Sequence, residues 1–440
     1  MKFYNRESEL NELKRIQNLS FNDFSRMTVV TGRRRIGKTS IVMKSVENTP
    51  TVYLFVGRKN EAILCTEFIP VITSSLNIYV PERILTFKSL FQYLMELATQ
   101  RSFNLVIDEF QEFYNINESI FSDMQNIWDT YRKKTRMNLI ISGSVWSLMQ
   151  KIFQNSKEPL FGRADNIIKL SSFDIATMKK IIHDYYPEYN NDDLLALYTF
   201  SGGIPKYIEL FCDIGRLDVE GMIEFMAHEN SPFIEEGKNL LIEEFGKNYA
   251  TYFSVLSAIS GGINTQPGIE SALGNKSVGG QLKRLIEDYN IIVRQRPVFS
   301  NERTQAVRYE ISDNFIRFWF NYFDRHRSLI EIKNFKGLGN IIKDDYPTYS
   351  GKMLERYFKQ KLAESFQFRE IGSWWELKNE QNEIDIVALK LEKNQALVAE
   401  VKRQKKNFKP GSFTSKVKHL KHKILSNYAI ETHFFSLKDM

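Results

Sequence analysis

Cysteine is almost absent from this chain. Cys65 and Cys212 are the only two in 440 residues. They stand far apart and without CxxC or His-Cys ligand spacing, which excludes a disulfide framework and argues against a zinc site. Long apolar runs are missing too: none reaches the ~18 residues of a membrane span. The opening segment MKFYNRESELNEL has no apolar stretch of the kind a secretory leader carries. The expectation is a soluble, cytoplasmic protein of a reducing compartment, with no membrane partner. Internal repeats are absent. Apolar residues, by contrast, make up 42% of the chain and include 33 Phe. That supports sizeable cores and excludes a disordered chain, and the length alone suggests about three domains.

Charge is unevenly placed. The net charge is +7, yet residues 402–423 hold nine Lys/Arg and no Asp or Glu. The remainder of the chain is therefore slightly acidic. A basic segment with a position is either a solvated lysine-rich helix or a nucleic-acid contact.

Up to about residue 170, short β-rich apolar runs (27–32, 51–56, 104–109, 138–144, 166–170) alternate with helical patterns at 38–46, 85–100 and 118–134. That alternation predicts a parallel α/β sheet covered on both faces. Residues 171–247 read as helical. Residues 248–325 read as three helices and a hairpin, and 326–348, with Gly337, Gly339 and Pro347, as a linker. Residues 349–440 form a second α/β pattern. The expected domains are thus a core at 1–170, a helical lid at 171–247, the helices-plus-hairpin module, the linker and a C-terminal domain.

The strongest signal is Gly32-Arg33-Arg34-Arg35-Ile36-Gly37-Lys38-Thr39, followed by Ser40. It is a GxxxxGK[ST] loop between an apolar strand and a helix. Such a loop curls its N–H groups around phosphate at a helix N-terminus, with Lys38 on the β/γ-phosphates and Thr39 on Mg²⁺. Some 70 residues on, Leu105-Val106-Ile107-Asp108-Glu109 ends an apolar strand in two carboxylates. Asp108 would hold Mg²⁺ through water and Glu109 would orient or deprotonate the attacking water. The pair implies a P-loop nucleoside triphosphatase using Mg²⁺. The intervening run at 51–56 implies that the Asp/Glu strand is not the immediate neighbour of the first strand. Ser142 and Ser144 close the fourth strand, where they either touch γ-phosphate or make an ordinary turn. Arg163 either reaches a neighbouring subunit's site or forms a surface ion pair.

These residues resemble the archaeal-type P-loop ATPases, a branch of the AAA+/STAND assemblage. The matching positions are Tyr4-Asn5-Arg6-Glu7, Gly32 to Thr39, Asp108-Glu109, Gly143-Ser144, Gly162-Arg163 and Gly202-Gly203-Ile204-Pro205. The resemblance implies that Asn5 and Arg6 lie near the adenine and that the turn ending in Pro205 senses nucleotide from a helical lid. From the residues alone, Asn5 would cap the first helix and the Gly-Gly-Ile-Pro segment would be a helix–helix turn. No arginine replaces the second sensor of AAA+ proteins.

Residues 250–325 fit a winged helix-turn-helix. Its third helix (277–289) carries Gln281, Lys283 and Arg284, and its wing carries Arg294, Arg296, Arg303 and Arg308. The module would bind DNA or pack between domains.

Further on, Glu383-Ile384-Asp385-Ile386-Val387 and Leu397-Val398-Ala399-Glu400-Val401-Lys402 read as a hairpin. A turn centred on Lys393-Asn394 would set Asp385 opposite Lys402 and Val387 opposite Glu400. One face would then gather Asp385, Glu400 and Lys402. The group reads either as cross-strand ion pairs or as a site for Mg²⁺-dependent phosphodiester hydrolysis, with Glu355 as an added ligand. Together with Trp374-Trp375 it resembles the PD-(D/E)XK restriction-endonuclease-like fold, as in the nuclease-like domain that archaeal-type ATPases often carry C-terminally. That resemblance implies Asp385, Glu400 and Lys402 as catalytic residues, with Glu355, Asp385 and Glu400 on the metal. The functional expectation is an ATP switch coupled to a DNA nuclease. Its competitors are a STAND-like regulator that binds DNA or protein without cutting, and a chaperone-like ATPase acting on protein partners. A homo-oligomer is compatible with each.

Overall fold

The computed structural model describes residues 1–81, 83–246, 249–301, 303–376 and 382–440. The expected junction at 247/248 lies outside the described residues. Contacts divide the chain into two compact units, Lys2–Ser172 and Phe173–Met440, the latter together with Met1.

The first unit is built on five parallel strands: β1 (Arg26–Thr31), β2 (Thr51–Phe55), β3 (Phe103–Asp108), β4 (Met137–Gly143) and β5 (Asn166–Lys169). Their order is β2-β3-β4-β1-β5, so β4 separates the phosphate-loop strand from the Asp/Glu strand. β3 and β4 are buried along their whole length. This is why they read as unbroken apolar runs: both faces of a parallel sheet are covered. Side chains alternate between faces. Val29, Leu105 and Ile141 join one core with helices Glu61–Leu76, Phe87–Leu97 and Ser119–Tyr131. Val30, Val106 and Ile140 join another with helices Glu7–Asn22 and Lys38–Ser45.

The second unit opens with helices 175–185, 191–201, 205–213, 219–226 and 233–245. Three more follow, Tyr249–Ser260, Gln266–Ala272 and Gly279–Glu287, and then the antiparallel pair β6 (Ile292–Gln295) and β7 (Arg308–Ile311). The segment expected to be a linker is helical instead, as Arg327–Glu331 and then the 30-residue helix Phe335–Glu364. Asn334 caps the latter by accepting from Gly337 N at 2.9 Å. Pro347 removes one backbone bond inside it, but Leu338, Ile342, Tyr346, Met353, Leu354, Tyr357 and Phe358 are all buried along its length. Burial of that stripe outweighs the local breaker signals.

A four-stranded sheet completes the unit: β8 (Phe368–Trp374), β9 (Ile384–Lys390), β10 (Gln395–Val401) and β11 (Ala429–Phe435), in the order β11-β10-β9-β8. β8, β9 and β10 are antiparallel neighbours, whereas β11 runs parallel to β10. A parallel return needs a crossover. Here it contains the helix Pro410–Lys423, which carries part of the basic segment.

Candidate nucleotide and carboxylate sites

The loop after β1 turns on Gly32 (φ 151°), Arg35 (φ 65°) and Gly37 (φ 89°). A Cβ on Gly32 would meet the Leu170 carbonyl oxygen at 2.8 Å, so no larger residue fits there. Gly37 sits immediately before helix Lys38–Ser45 and aims its first N–H groups at the loop. The Lys38 ammonium is buried and donates to the Gly32 and Arg33 carbonyls at 2.9 and 3.0 Å. Arg33, Arg34 and Gly37 are half-buried, Ile36 is in the core, and Thr39 and Ser40 are exposed at the helix start.

Asp108 is buried at the end of β3 and gathers four donors. Thr39 Oγ1 (2.9 Å) and Tyr53 Oη (2.6 Å) share its Oδ2. Ser142 Oγ and the Glu109 backbone N–H meet its Oδ1. Burial and the Asp108 carboxylate hold the Tyr53 hydroxyl well above the usual tyrosine range, so it stays a donor. Glu109 itself is left-handed (φ 54°, ψ 38°), a conformation that costs a non-glycine residue on the order of 1–3 kcal/mol and concentrates at functional sites. Its carboxylate accepts from Ser144 Oγ at 2.6 Å and from Gln111. Five sequence-predicted residues, Thr39, Asp108, Glu109, Ser142 and Ser144, are thus linked by hydrogen bonds. Tyr53 and Gln111 carried no sequence signal. Tyr53 reaches Asp108 only because β2 pairs with β3. A hydroxyl and a carboxylate meeting beside the phosphate loop fit Mg²⁺, which takes few protein ligands and completes its shell with phosphate and water.

Other expected residues lie elsewhere. Asn5 does not cap the first helix: Arg6 occupies the cap position, and Asn5 precedes it with φ 42°. Arg6 is buried, donating to the Ser171 carbonyl and to Glu9. Arg163 forms a surface ion pair with Asp129 at 3.1 Å. Gly202 (φ 59°) ends helix 191–201 and Pro205 starts the next, so this segment is a helix–helix turn in its local geometry. Arg308 does not stand free to meet phosphate: it pairs with Glu383 at 2.8 Å and lies over the Trp375 ring. Arg294, Arg303, Lys283 and Arg284 are exposed, and Lys283 faces Glu287 at 3.7 Å.

In the second unit the β9–β10 turn spans residues 391–394, and Val398 pairs with Val387. The register differs by two from the expected one, because the turn is centred one residue earlier. Continued one step beyond Ala399–Ile386, it sets Asp385 opposite Glu400. A shift of two preserves the face, so the three groups still converge. Lys402 Nζ lies 3.1 Å from Asp385 Oδ2 and 3.3 Å from Glu400 Oε1. Lys416, from the crossover helix, approaches Glu400 at 3.6 Å. Val401 N also donates to Asp385 at 2.8 Å. Burial works against the charge of Lys402, but Asp385, Glu400 and Glu355 outweigh it and hold its pKa above the ordinary value. Glu355, on the long helix, is pushed up to about 8 by burial and by the Asp385 carboxylate. It therefore carries a proton at neutral pH, unlike a ready ligand. Among the described residues, no group of three or more His, Cys, Asp or Glu side chains is arranged to hold a metal ion. The Asp385–Glu400 pair fits an ion that takes one or two carboxylates and finishes its shell with substrate phosphate.

Comparison with known proteins adds two family matches. A model described as "ATPase domain predominantly from Archaea" matches residues 3–211. One described as "Archaea bacterial proteins of unknown function" matches residues 319–413. A protein of Methanocaldococcus jannaschii named "Uncharacterized protein MJECL04" is 31% identical over 415 residues, spanning 91% of this chain and 87% of its own length. Among solved structures, a Walker-type ATPase of Pyrococcus abyssi is similar in fold, with TM-score 0.55, 18% identity, and coverage of 72% of this chain and 96% of that one. So is the Aeropyrum pernix ORC2 protein, solved as ADPNP-ADP complexes, with TM-score 0.50, 12% identity, and coverage of 76% and 95%. Among the described residues, no helix is long and apolar enough to cross a membrane.

Proposed function

Since this chain belongs to the archaeal-type P-loop ATPase family that includes the Methanocaldococcus jannaschii relative, we propose that its ATP cycle governs a DNA-cleaving carboxylate–lysine site in the C-terminal domain. One observation carries the coupling. Arg403, next to Lys402, forms an ion pair with Asp192 at 2.7 and 3.0 Å. Asp192 belongs to helix 191–201, which ends at the Gly202–Pro205 turn. An ion pair and one helix therefore link the site to the proposed nucleotide-sensing turn.

At the phosphate loop, backbone N–H groups and Lys38 bind the triphosphate. Thr39 and Asp108 would hold Mg²⁺, which when bound neutralises phosphate charge. Tyr53 and Ser142 fix the Asp108 carboxylate. Glu109, turned toward Ser144 and Gln111, orients or deprotonates the attacking water once released from them. In the C-terminal domain, Asp385 and Glu400 would hold the divalent ion, whose chemistry is charge neutralisation at the scissile phosphate. Lys402 stabilises negative charge there. Exposed Lys405, Lys406, Lys409, Lys418 and Lys421 flank this region and attract phosphate. The helices-plus-hairpin segment, in our reading a winged helix, serves mainly as packing: Arg356 donates to the Ile311 and Ser312 carbonyls, and Arg308 is bound to Glu383.

The test is a cleavage assay on plasmid and linear DNA with Mg²⁺ or Mn²⁺, with and without ATP. Cutting that disappears in Asp385→Ala and Lys402→Ala supports the proposal, and equal cutting by those variants overturns it. A second reading, a regulator that grips DNA or a protein partner without cutting, is favoured by Lys402 bridging both carboxylates into a closed ion pair. It expects salt-sensitive DNA binding that survives Asp385→Ala, with no cleavage by the native chain.

A further inference from the structure

The two edges of the C-terminal sheet are built differently. β8 is guarded. Val298 N donates to the Ser373 carbonyl at 3.0 Å, and the Val298 side chain is buried in the sheet's core. The β8 register is irregular between Phe368 and Glu370 and again between Gly372 and Trp374, and Arg369 and Glu370 lie on the strand. Bulges, charges and covering segments are the ordinary defences of an edge strand. β11, with the sequence AIETHFF, has no proline, no lysine and no bulge: its seven-residue register with β10 is unbroken.

The direction of its free groups can be read from the ladder. Ala429 N donates to Asn394 O, and Phe435 O accepts from Lys402 N. Residues 429, 431, 433 and 435 therefore face β10, and alternation turns the N–H and C=O of Ile430, Thr432 and Phe434 outward. Among the described residues these outward groups have no backbone partner.

We infer that β11 pairs antiparallel with β11 of a second copy of this chain, about a twofold axis at Thr432. The sequence is complementary to itself in that register. Ile430 then faces the copy's Phe434 in the hydrogen-bonded positions. Glu431 faces the copy's His433 in the non-hydrogen-bonded positions, where side chains approach most closely. Sliding the pairing by one step either way sets Glu431 against Glu431 or His433 against His433. Like-charge pairing opposes the first slip, and the second leaves both Glu431 carboxylates opposite Phe435. Glu431 and His433 already hydrogen-bond at 2.6 Å within one chain, and Lys390 approaches Glu431 at 2.8 Å. On the other face Phe434 stacks on Phe408 with ring centres 4.3 Å apart, which fixes the strand for pairing. Such a dimer extends the four-stranded sheet continuously across two copies and places both Asp385–Glu400 sites in one assembly.

Light scattering on the eluting full-length chain tests this. The native protein should run at twice its 51.6 kDa mass. Thr432→Pro removes only an outward N–H, which an edge strand tolerates. It should halve the mass while leaving circular dichroism and ATP hydrolysis unchanged. Glu431→Lys, should Thr432→Pro fold poorly, is expected to do the same. The exchange of Glu431→His with His433→Glu should keep the dimer, because each pair is merely reversed. A native chain that stays monomeric at about 100 μM, a dimer that survives Thr432→Pro, or a monomeric exchange variant would each overturn the inference.

Discussion

Thr39 Oγ1 donates to Asp108 Oδ2 across 2.9 Å, joining the helix after β1 to the end of β3, two positions away in the sheet. The bond brings together the two protein groups that Mg²⁺ would use. Thr39→Ala should leave metal-free nucleotide binding nearly intact. It should lower Mg²⁺-dependent turnover on the order of tenfold to a hundredfold, the size of one or two charge-assisted contacts. A Mg²⁺ titration of ATP hydrolysis, beside a binding isotherm in chelator, separates the two.

Lys38 and Glu109 should divide binding from chemistry. Lys38→Ala removes the buried ammonium and should abolish measurable ATP binding. Glu109→Gln keeps the shape and its contact with Ser144, so binding persists while hydrolysis falls by about 10²–10⁴, the range of a lost general base. Equal hydrolysis by Glu109→Gln would remove the water-activating role.

Gly143 is packed too closely for any side chain. A Cβ there would meet Gln111 Oε1 and Met149 Sδ, each at 2.4 Å. Gly143→Ala should destabilise the first unit by about 1–3 kcal/mol through overpacking. It should also displace Gln111 from Glu109, lowering hydrolysis at temperatures where the fold persists. Thermal melts and ATPase rates on the same sample check both.

Arg403 is held by Asp192, by Ser350 and by the Tyr346 ring. Arg403→Ala leaves Asp192 without its main charge partner and should cost about 3 kcal/mol, read as a lowered denaturation midpoint. Under the proposed coupling it should also make DNA cleavage indifferent to ATP.

Glu355 predicts a direction of pH dependence. Burial and the Asp385 carboxylate push its carboxyl up from the ordinary range near 4.5 to about 8 in the fold. The folded chain therefore holds a proton there that the unfolded chain releases above about 4.5. Stability contributed by this position falls as pH rises through that window and is fully lost above about 8. Glu355→Gln should flatten the decline in melting temperature between pH 5.5 and 8.5. A native and variant chain that decline in parallel would assign the pH dependence to other groups.

The sequence alone determined the pieces whose signal is local. The central strands of the first unit, β1, β3 and β4, were readable because doubly covered strands must be continuously apolar. The phosphate loop was readable because its glycines, lysine and threonine act through adjacent backbone. The shared face of Asp385, Glu400 and Lys402 survived a wrong register because side-chain direction depends only on parity. Tertiary structure decided the rest. Tyr53 became a partner of Asp108 through strand order, which no local pattern encodes. Arg308 and Arg403, read as positive charge, were taken up by Glu383 and Asp192, distant in sequence. The supposed linker became a helix because its buried stripe finds partners only in the folded chain. Propensity is a property of neighbours along the chain, whereas pairing and burial belong to neighbours in space.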